Sequence, residues 1–306
     1  MTDMRFDGRV AIITGAGGGL GRSHALELAL RGASVLVNDL GGALDGSGCS
    51  LLAADRVVAE IISLGGIAAA NHDSVDTAEG GEAIVQAAID AFGRVDIVVN
   101  NAGIIRDKAY HKMDADMIRS VVGVHLLGAL YVSQPAYRLM REQGYGRIVN
   151  TSSASGLFGN FGQANYGAAK AGLAGLTRVL ALEGDGHGIK VNAIAPIAAT
   201  RMTKDILGEE LARKVSPETV SPLVAYLAHE ECAVNGHIYS VAGGRIARIF
   251  VAETRGMVFD ENTPENIGAH ITLIDTDADG YHTPGSLEAE TDIIGKDLAQ
   301  DLSPVL

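Results

Sequence analysis

Val10–Arg31 reads VAIITGAGGGLGRSHALELALR, and this stretch decides the fold. Val10–Thr14 (VAIIT) is an unbroken apolar run of strand length. A strand with no polar alternation is buried on both faces, as in a parallel sheet. Glycines follow at once, TGAGGGLG from Thr14 to Gly21, and Gly19–Arg31 then spaces its apolar residues as a helix does. In a turn between strand and helix the glycines have separate duties. Gly15 permits the tight turn, Gly19 lets backbone approach a pyrophosphate, and Gly21 lets helix and strand pack closely. The bland alternative is a glycine-rich turn that holds no ligand.

The same alternation continues outward. Ala33–Asn38 (ASVLVN) is a second strand, and a loop containing GGALDGSG separates it from a helix over Leu51–Leu64. Ile67–Asn71 reads as a third strand, Gly80–Phe92 as a helix and Val95–Asn100 as a fourth strand. Ile148–Ser152 and Val191–Ala195 are later strands, each preceded by a long helix, Met113–Arg141 and Tyr166–Glu183. The pattern predicts a doubly wound parallel α/β sheet, a Rossmann fold. One domain covers 1–244, with an acidic extension over 245–306 packed on the domain or on a subunit interface.

Asp39 follows the second strand, 24 residues after Gly15. A carboxylate there accepts the ribose hydroxyls of NAD and repels a 2′-phosphate, and Gly18 supplies no base to neutralise one. NAD is therefore the expected cofactor. The chain of 306 residues carries a net charge of −13, and 47% of it is hydrophobic. Residues 245–306 hold 4 basic and 12 acidic residues, a net of −8. Such a balance argues against nucleic acid as a partner. No basic region followed by an apolar run opens the sequence, and no apolar stretch approaches the length of a membrane helix. Cys49 and Cys232 lack metal-ligand spacing, so reduced thiols, a cytoplasmic location and no bound metal are expected.

Tyr166 and Lys170 stand four residues apart, on one helix face, and Ser153 lies 13 residues before the tyrosine. A free phenol has a pKa near 10, so proton uptake near pH 7 requires lowering it by about 2–3 units, roughly 3–4 kcal/mol. An ammonium one turn away supplies such a field, and an oxidised nicotinamide adds to it. Small neighbours, Gly167 to Ala169, leave room for a cofactor. Ser153 donates to a substrate oxygen. The set TGxxxGxG, NNAG at Asn100–Gly103, Ser153 and YxxxK together resembles the short-chain dehydrogenase/reductase family over roughly residues 5–244.

That resemblance implies Ser153, Tyr166 and Lys170 as catalytic residues. It also implies cofactor contacts from Gly15, Gly19, Leu20, Gly21, Asp39, Asp73, Ser74, Asn101, Ala102, Gly103, Tyr166, Lys170, Pro196 and Thr200, and a homotetramer or homodimer. The outer faces of the two long helices, rich in Ala, Leu and Val, point the same way. VNDLGG at Val37–Gly42, FGRVDIVVNNAGIIRDK at Phe92–Lys108 and GRIVNTSSASGLFGNFGQANYGAAKAGL at Gly146–Leu173 are similar to the D-3-hydroxyacyl-CoA dehydrogenase domains of peroxisomal multifunctional β-oxidation enzymes. Oxidation of a 3-hydroxyacyl-CoA is the implied reaction. A hydroxysteroid dehydrogenase and a 3-oxoacyl-carrier-protein reductase are the alternatives. A catalytically inactive NAD sensor is the reading from another class, and the intact Ser153, Tyr166 and Lys170 argue against it.

Two departures from the family pattern stand out. His125, in VHLLG, occupies the place of the usual active-site asparagine. An imidazole can carry the water that joins Lys170 to solvent, and free imidazole titrates near pH 6.5; a packing histidine at a kink is the alternative. Pro196-Ile197 replaces the usual Pro-Gly, which shifts the spacing of Thr200, Met202 and Thr203. The segment after Thr203, KDILGEELARKVSPE, is a short lid. In the tail, Ile246–Glu253 and His270–Ile274 read as strands. DTDADG at Asp275–Gly280 echoes half a calcium loop, but Ser286 stands where its bidentate acid belongs, so an exposed acidic turn is expected.

Overall fold

The structure, a computed structural model, describes residues 3–203, 208–278 and 280–299. The apolar runs are strands and the segments between them are helices. In chain order they are β1 (Val10–Thr14), α1 (Gly19–Leu30), β2 (Ser34–Asn38), α2 (Leu52–Ser63), β3 (Ile67–Asn71), α3 (Ala78–Phe92) and β4 (Ile97–Asn100). Then come α4 (Ala115–Val122), α5 (Gly128–Gln143), β5 (Gly146–Thr151), α6 (Ala154–Phe158), α7 (Ala164–Gly184), β6 (Ile189–Pro196), α8 (Glu209–Lys214), α9 (Ser221–Ala228), β7 (Ile238–Ala242) and β8 (Arg245–Ile249). The sheet order is β3-β2-β1-β4-β5-β6-β7-β8, and the registered pairs from β3 to β7 are all parallel.

The order reverses between β1 and β4. Ligands of such sheets bind at the carboxyl ends of the strands beside that switch point. One apolar core on one face of the sheet joins α1, α2 and α9; a second, on the other face, joins α3, α5 and α7. Polar residues gather at the last registers of the strands. Thr14 pairs with Asn38, Asn38 with Asn71, and Asn100 with Asn150. Their side chains satisfy one another: Asn38 Nδ2 donates to Asn71 Oδ1 at 2.7 Å, and Asn100 Nδ2 to Asn150 Oδ1 at 2.8 Å. Buried amides of this kind persist only when bonded.

The expected helix over Met113–Arg141 is α4 and α5 joined by a π-turn, Gly123–Leu127, which carries His125. This continuous helix, Ala115–Gln143, contains an 18-residue window of mean hydropathy 1.3 and is long and apolar enough to cross a membrane. The sequence reading found no such stretch, because His125, Ser133 and Gln134 interrupt the run. The helix packs on α3 and α7 and against β4 and β5.

The chain divides into a unit up to Arg248 and a unit from Ile249. β8 is the edge strand beside β7; it ends at Ile249, short of the expected Glu253. The second unit contains β9 (Glu253–Thr254), α10 (Pro264–Ile274), β10 (Tyr281–His282) and α11 (Leu287–Ala299). His270–Ile274, read as a strand, is the last turn of α10. Thr263 caps that helix by accepting from Asn266 N at 3.2 Å, and Pro264 begins it. These start signals outweigh the β-branched run that follows. No side chain among the described residues of this unit is fully buried. Of the acidic turn, Asp279 lies outside the described residues.

Candidate active site

The glycine turn leads from β1 into α1. Gly15 and Gly19 adopt φ of +63° and +53°, in the left-handed region that favours glycine. A Cβ on Gly21 would lie 2.3 Å from Gly15 O, whereas one on Gly19 would meet only Thr200, at 3.5 Å. The first glycine is thus needed for packing, and the second faces open space on the side where a ligand would lie. Leu20, next to them, packs partly buried against the core. Asp39 stands beside the turn: Oδ2 accepts from Gly17 N at 2.7 Å and Oδ1 from Gly41 N at 2.6 Å. Gly17 was not singled out in the sequence, yet a Cβ there would sit 2.8 Å from the Asp39 carboxylate.

NNAG ties the two sides of the switch point together. Asn101 Nδ2 donates to Thr14 O and Gly15 O, both at 3.0 Å. The Thr14 hydroxyl accepts from the backbone N–H of Asn101 and of Ala102, each at 3.1 Å. Thr14 had gone unnoticed as a site residue; its place directly before the first glycine was the available signal. Gly103 lies against the His125 ring, where a Cβ would come within 2.3 Å of Cε1. Beyond β3, Asp73 accepts from Asn71 Nδ2 at 2.7 Å, and Ser74 donates to Asp76 at 2.5 Å. Pro196 ends β6, and the next turn folds back so that Thr200 N donates to Thr203 Oγ1 at 2.9 Å. Thr200 thereby faces the glycine turn. Residues 204–207 of the short lid lie outside the described residues.

Ser153 caps α6, its Oγ accepting from Ser155 N at 3.2 Å. Tyr166 lies in the first turn of α7, and Lys170 Nζ sits 5.6 Å from the centre of its ring. Lys170 is buried and donates to Thr151 O at 2.5 Å. Ser152, also missed in the sequence, anchors that helix by donating to Lys170 O at 2.8 Å. Burial lowers the Lys170 pKa from 10.5 to about 7. Burial also raises the Tyr166 phenol above its usual value; the Ser153 hydroxyl opposes this, and the Asp107 carboxylate adds to it.

His125 stands edge-on to Tyr166, with ring centres 5.0 Å apart. Its Nε2 meets the Ile104 backbone, 3.0 Å from N and 2.7 Å from O. Burial first, and then the Lys170 charge, push its pKa well below 6.5. The expectation of a titration near pH 6.5 is therefore corrected: the ring stays neutral through the working range. His125 Nδ1, Asn100 Oδ1 and Thr151 Oγ1 are buried without a partner among the described residues. A small cavity lined by Thr14, Asn100, His125 and Lys170 has room for about one water.

These residues fit a nicotinamide dinucleotide. The open face of the turn, the amides of the α1 N-terminus and Asp39 suit its adenosine diphosphate end. An ammonium has three N–H donors, and the single partner of Lys170 leaves two for ribose hydroxyls. When bound, the cofactor supplies a hydride acceptor or donor. Among the described residues no cluster of three His, Cys, Asp or Glu side chains is placed to hold a metal.

The short chain dehydrogenase family model matches residues 9–210. A short-chain type dehydrogenase/reductase of Mycobacterium tuberculosis is 55% identical over 83% of this chain and 88% of its own length. The peroxisomal hydratase-dehydrogenase-epimerase of Saccharomyces cerevisiae is 50% identical over 87% of this chain, and the match spans 30% of that longer protein. Among solved structures, a 7α-hydroxysteroid dehydrogenase complexed with NADH and 7-oxo glycochenodeoxycholic acid is 30% identical, with a TM-score of 0.70, covering 79% of this chain and 96% of its own. The chain belongs to the short-chain dehydrogenase/reductase family and is an oxidoreductase of the kind that acts on CH–OH groups with a nicotinamide cofactor.

Proposed function

We propose that this enzyme uses NAD to oxidise the alcohol of a 3-hydroxyacyl-CoA. The observation that carries the reading is the gathering of Ser153, Tyr166 and Lys170 at the carboxyl edge of the sheet, with Asp39 beside the glycine turn. Ser153 holds the substrate oxygen. Tyr166, as phenolate, would take the hydroxyl proton, and a bound nicotinamide would supply the hydride acceptor. A positive charge at Lys170 would favour the phenolate against the burial that raises its pKa. The proton then passes to the water beside Lys170, and His125 Nδ1 helps hold that water. Asp39 disfavours a 2′-phosphate and supports NAD over NADP. The acyl-CoA substrate follows from the likeness to the multifunctional enzymes, whose hydratase and epimerase activities are not part of the proposal.

The enzyme acts as a homotetramer or homodimer. The outer faces of α5 and α7 form a groove lined by Leu130, Tyr137, Arg138, Arg141, Leu180 and Glu183, and Val179 and Leu182 beside it are exposed. Turnover should be measured with NAD and with NADP on D- and L-3-hydroxyacyl-CoA of several lengths, next to a hydroxysteroid panel. NAD-dependent oxidation of a D-3-hydroxyacyl-CoA is expected. Turnover of steroids alone, or a preference for NADP, refutes the proposal.

A further inference from the structure

Among the described residues of the unit up to Arg248, the three most exposed large apolar side chains are Phe161, Tyr110 and Phe158, at 92%, 73% and 72%. They lie on two segments that flank Tyr166: one leads from NNAG into α4, the other runs from the last residue of α6 into α7. Backbone and side chains fasten these segments together. Lys108 N donates to Gly162 O at 2.8 Å, Asn165 Nδ2 to Arg106 O at 3.0 Å and Gln163 Nε2 to Asp107 Oδ2 at 2.6 Å. Gly162 lies four chain steps from Tyr166, so by chain reach the fastening lies within about 14 Å of the tyrosine backbone.

The charges of this rim are unevenly spent. Asp116 holds Arg106 at 2.6 Å, Asp114 accepts from Met117 N at 2.8 Å, and Asp107 holds Gln163. Asp116 is ion-paired, and Asp107 and Asp114 bond to neutral amide groups and keep their charge without pairing with Lys108 or Lys112 among the described residues. Lys108 and Lys112 are exposed and enter no ion pair among the described residues. In a chain of net charge −13, two free ammonium groups among exposed aromatic rings form a surface for an anion with a flat ring. Ammonium groups bind phosphate through charge-assisted contacts, and aromatic rings stack on a nucleobase.

We propose that Lys108, Tyr110 and Lys112, with Phe158 and Phe161 opposite, hold the phosphorylated adenosine end of a coenzyme A thioester, while its pantetheine arm runs inward to Tyr166. This rests on the acyl-CoA reading above. A steroid alcohol has no phosphate to use the lysines, and a thioester truncated at the pantetheine has lost the group they hold.

The test compares one 3-hydroxyacyl group as its CoA thioester, its pantetheine thioester and its acyl-carrier-protein thioester, with NAD saturating. Native enzyme and the Lys108→Ala/Lys112→Ala variant are assayed at low and high salt. The variant should raise KM for the CoA thioester about tenfold, the scale of two exposed charge-assisted contacts, and leave kcat unchanged. Its KM for the pantetheine thioester should match the native value, which also verifies folding. Added salt should raise the native KM for the CoA thioester and barely move the variant's. A Phe161→Ala change should raise the same KM by a smaller factor. If native enzyme turns over the CoA thioester and the double variant matches it, the rim has no such role. If the loss appears only with the carrier-protein thioester, the patch docks an acidic protein and the proposal is overturned. If native enzyme does not oxidise the CoA thioester at all, it is the substrate reading that fails.

Discussion

Replacing Lys170 with methionine should stabilise the cofactor-free protein while abolishing turnover. The ammonium is buried, with Thr151 O as its hydrogen-bond partner. Its pKa is 10.5 in the unfolded chain and about 7 in the fold. At 1.36 kcal/mol per pH unit that difference amounts to about 5 kcal/mol against folding. Methionine fills a similar volume without charge, but it leaves Thr151 O unpaired, which costs about 1–3 kcal/mol. The net gain at pH 7 is about 2–4 kcal/mol, and the thermal midpoint should rise by on the order of 10 °C. The pH dependence follows from proton uptake. Between about pH 7 and 10.5 the unfolded chain carries this proton and the folded chain does not, so native stability rises with pH. The gap between variant and native enzyme is therefore full at and below about pH 7 and closes toward pH 10.5. Thermal unfolding of both proteins without cofactor, at pH 7 and at pH 10, reads it directly. A variant less stable than native at pH 7, with no change in the gap at pH 10, would refute the reasoning.

Tyr166→Phe should lower turnover by about 10²–10⁴-fold with NAD affinity nearly unchanged; full activity in steady-state assays would remove the tyrosine from the chemistry. Asp39→Ala should weaken NAD binding and narrow the preference over NADP, as read by cofactor titration; an unaltered ratio would show that the carboxylate serves only Gly17 and Gly41. His125→Ala should slow turnover, and His125→Asn should keep much of it. Because the buried imidazole is already neutral, the two enzymes that retain activity should share one acid limb, and a separate limb near pH 6.5 in the native profile would contradict this. Light scattering at micromolar concentration should give a tetramer or dimer mass; a monomer would leave the groove between α5 and α7 without its proposed cover.

Continuous apolar strands and the glycine turn made the sheet legible, because burial on both faces leaves no polar alternation to misread. The contents of the site were legible by residue type at fixed spacing. The geometry that tunes them was not. That Thr14 accepts two amides, or that Ser152 anchors the lysine's own carbonyl, depends on residues brought together from distant parts of the chain. The π-turn was hidden because one extra residue in a helical turn leaves no compositional mark. α10 was missed at His270–Ile274 because its start signal, Thr263-Pro264, lies outside the β-branched window that suggested a strand. β7 lacks a long apolar run, since Tyr239 and Ser240 break it.

The fastening of the glycine turn by Thr14 and Asn101 has a consequence for cofactor recognition. Both residues reach the turn from within the protein, so the turn holds its shape with no dinucleotide present. The conformational entropy of that loop is lost when the chain folds, and little remains to be lost on association. Such preorganisation divides the labour between neighbouring residues. On the proposed reading, Asp39 and Thr200 beside the turn set which cofactor fits, whereas Asn101 sets how ready the turn is to receive any. Loosening the Asn101 amide should therefore weaken NAD and NADP alike and leave the choice between them intact.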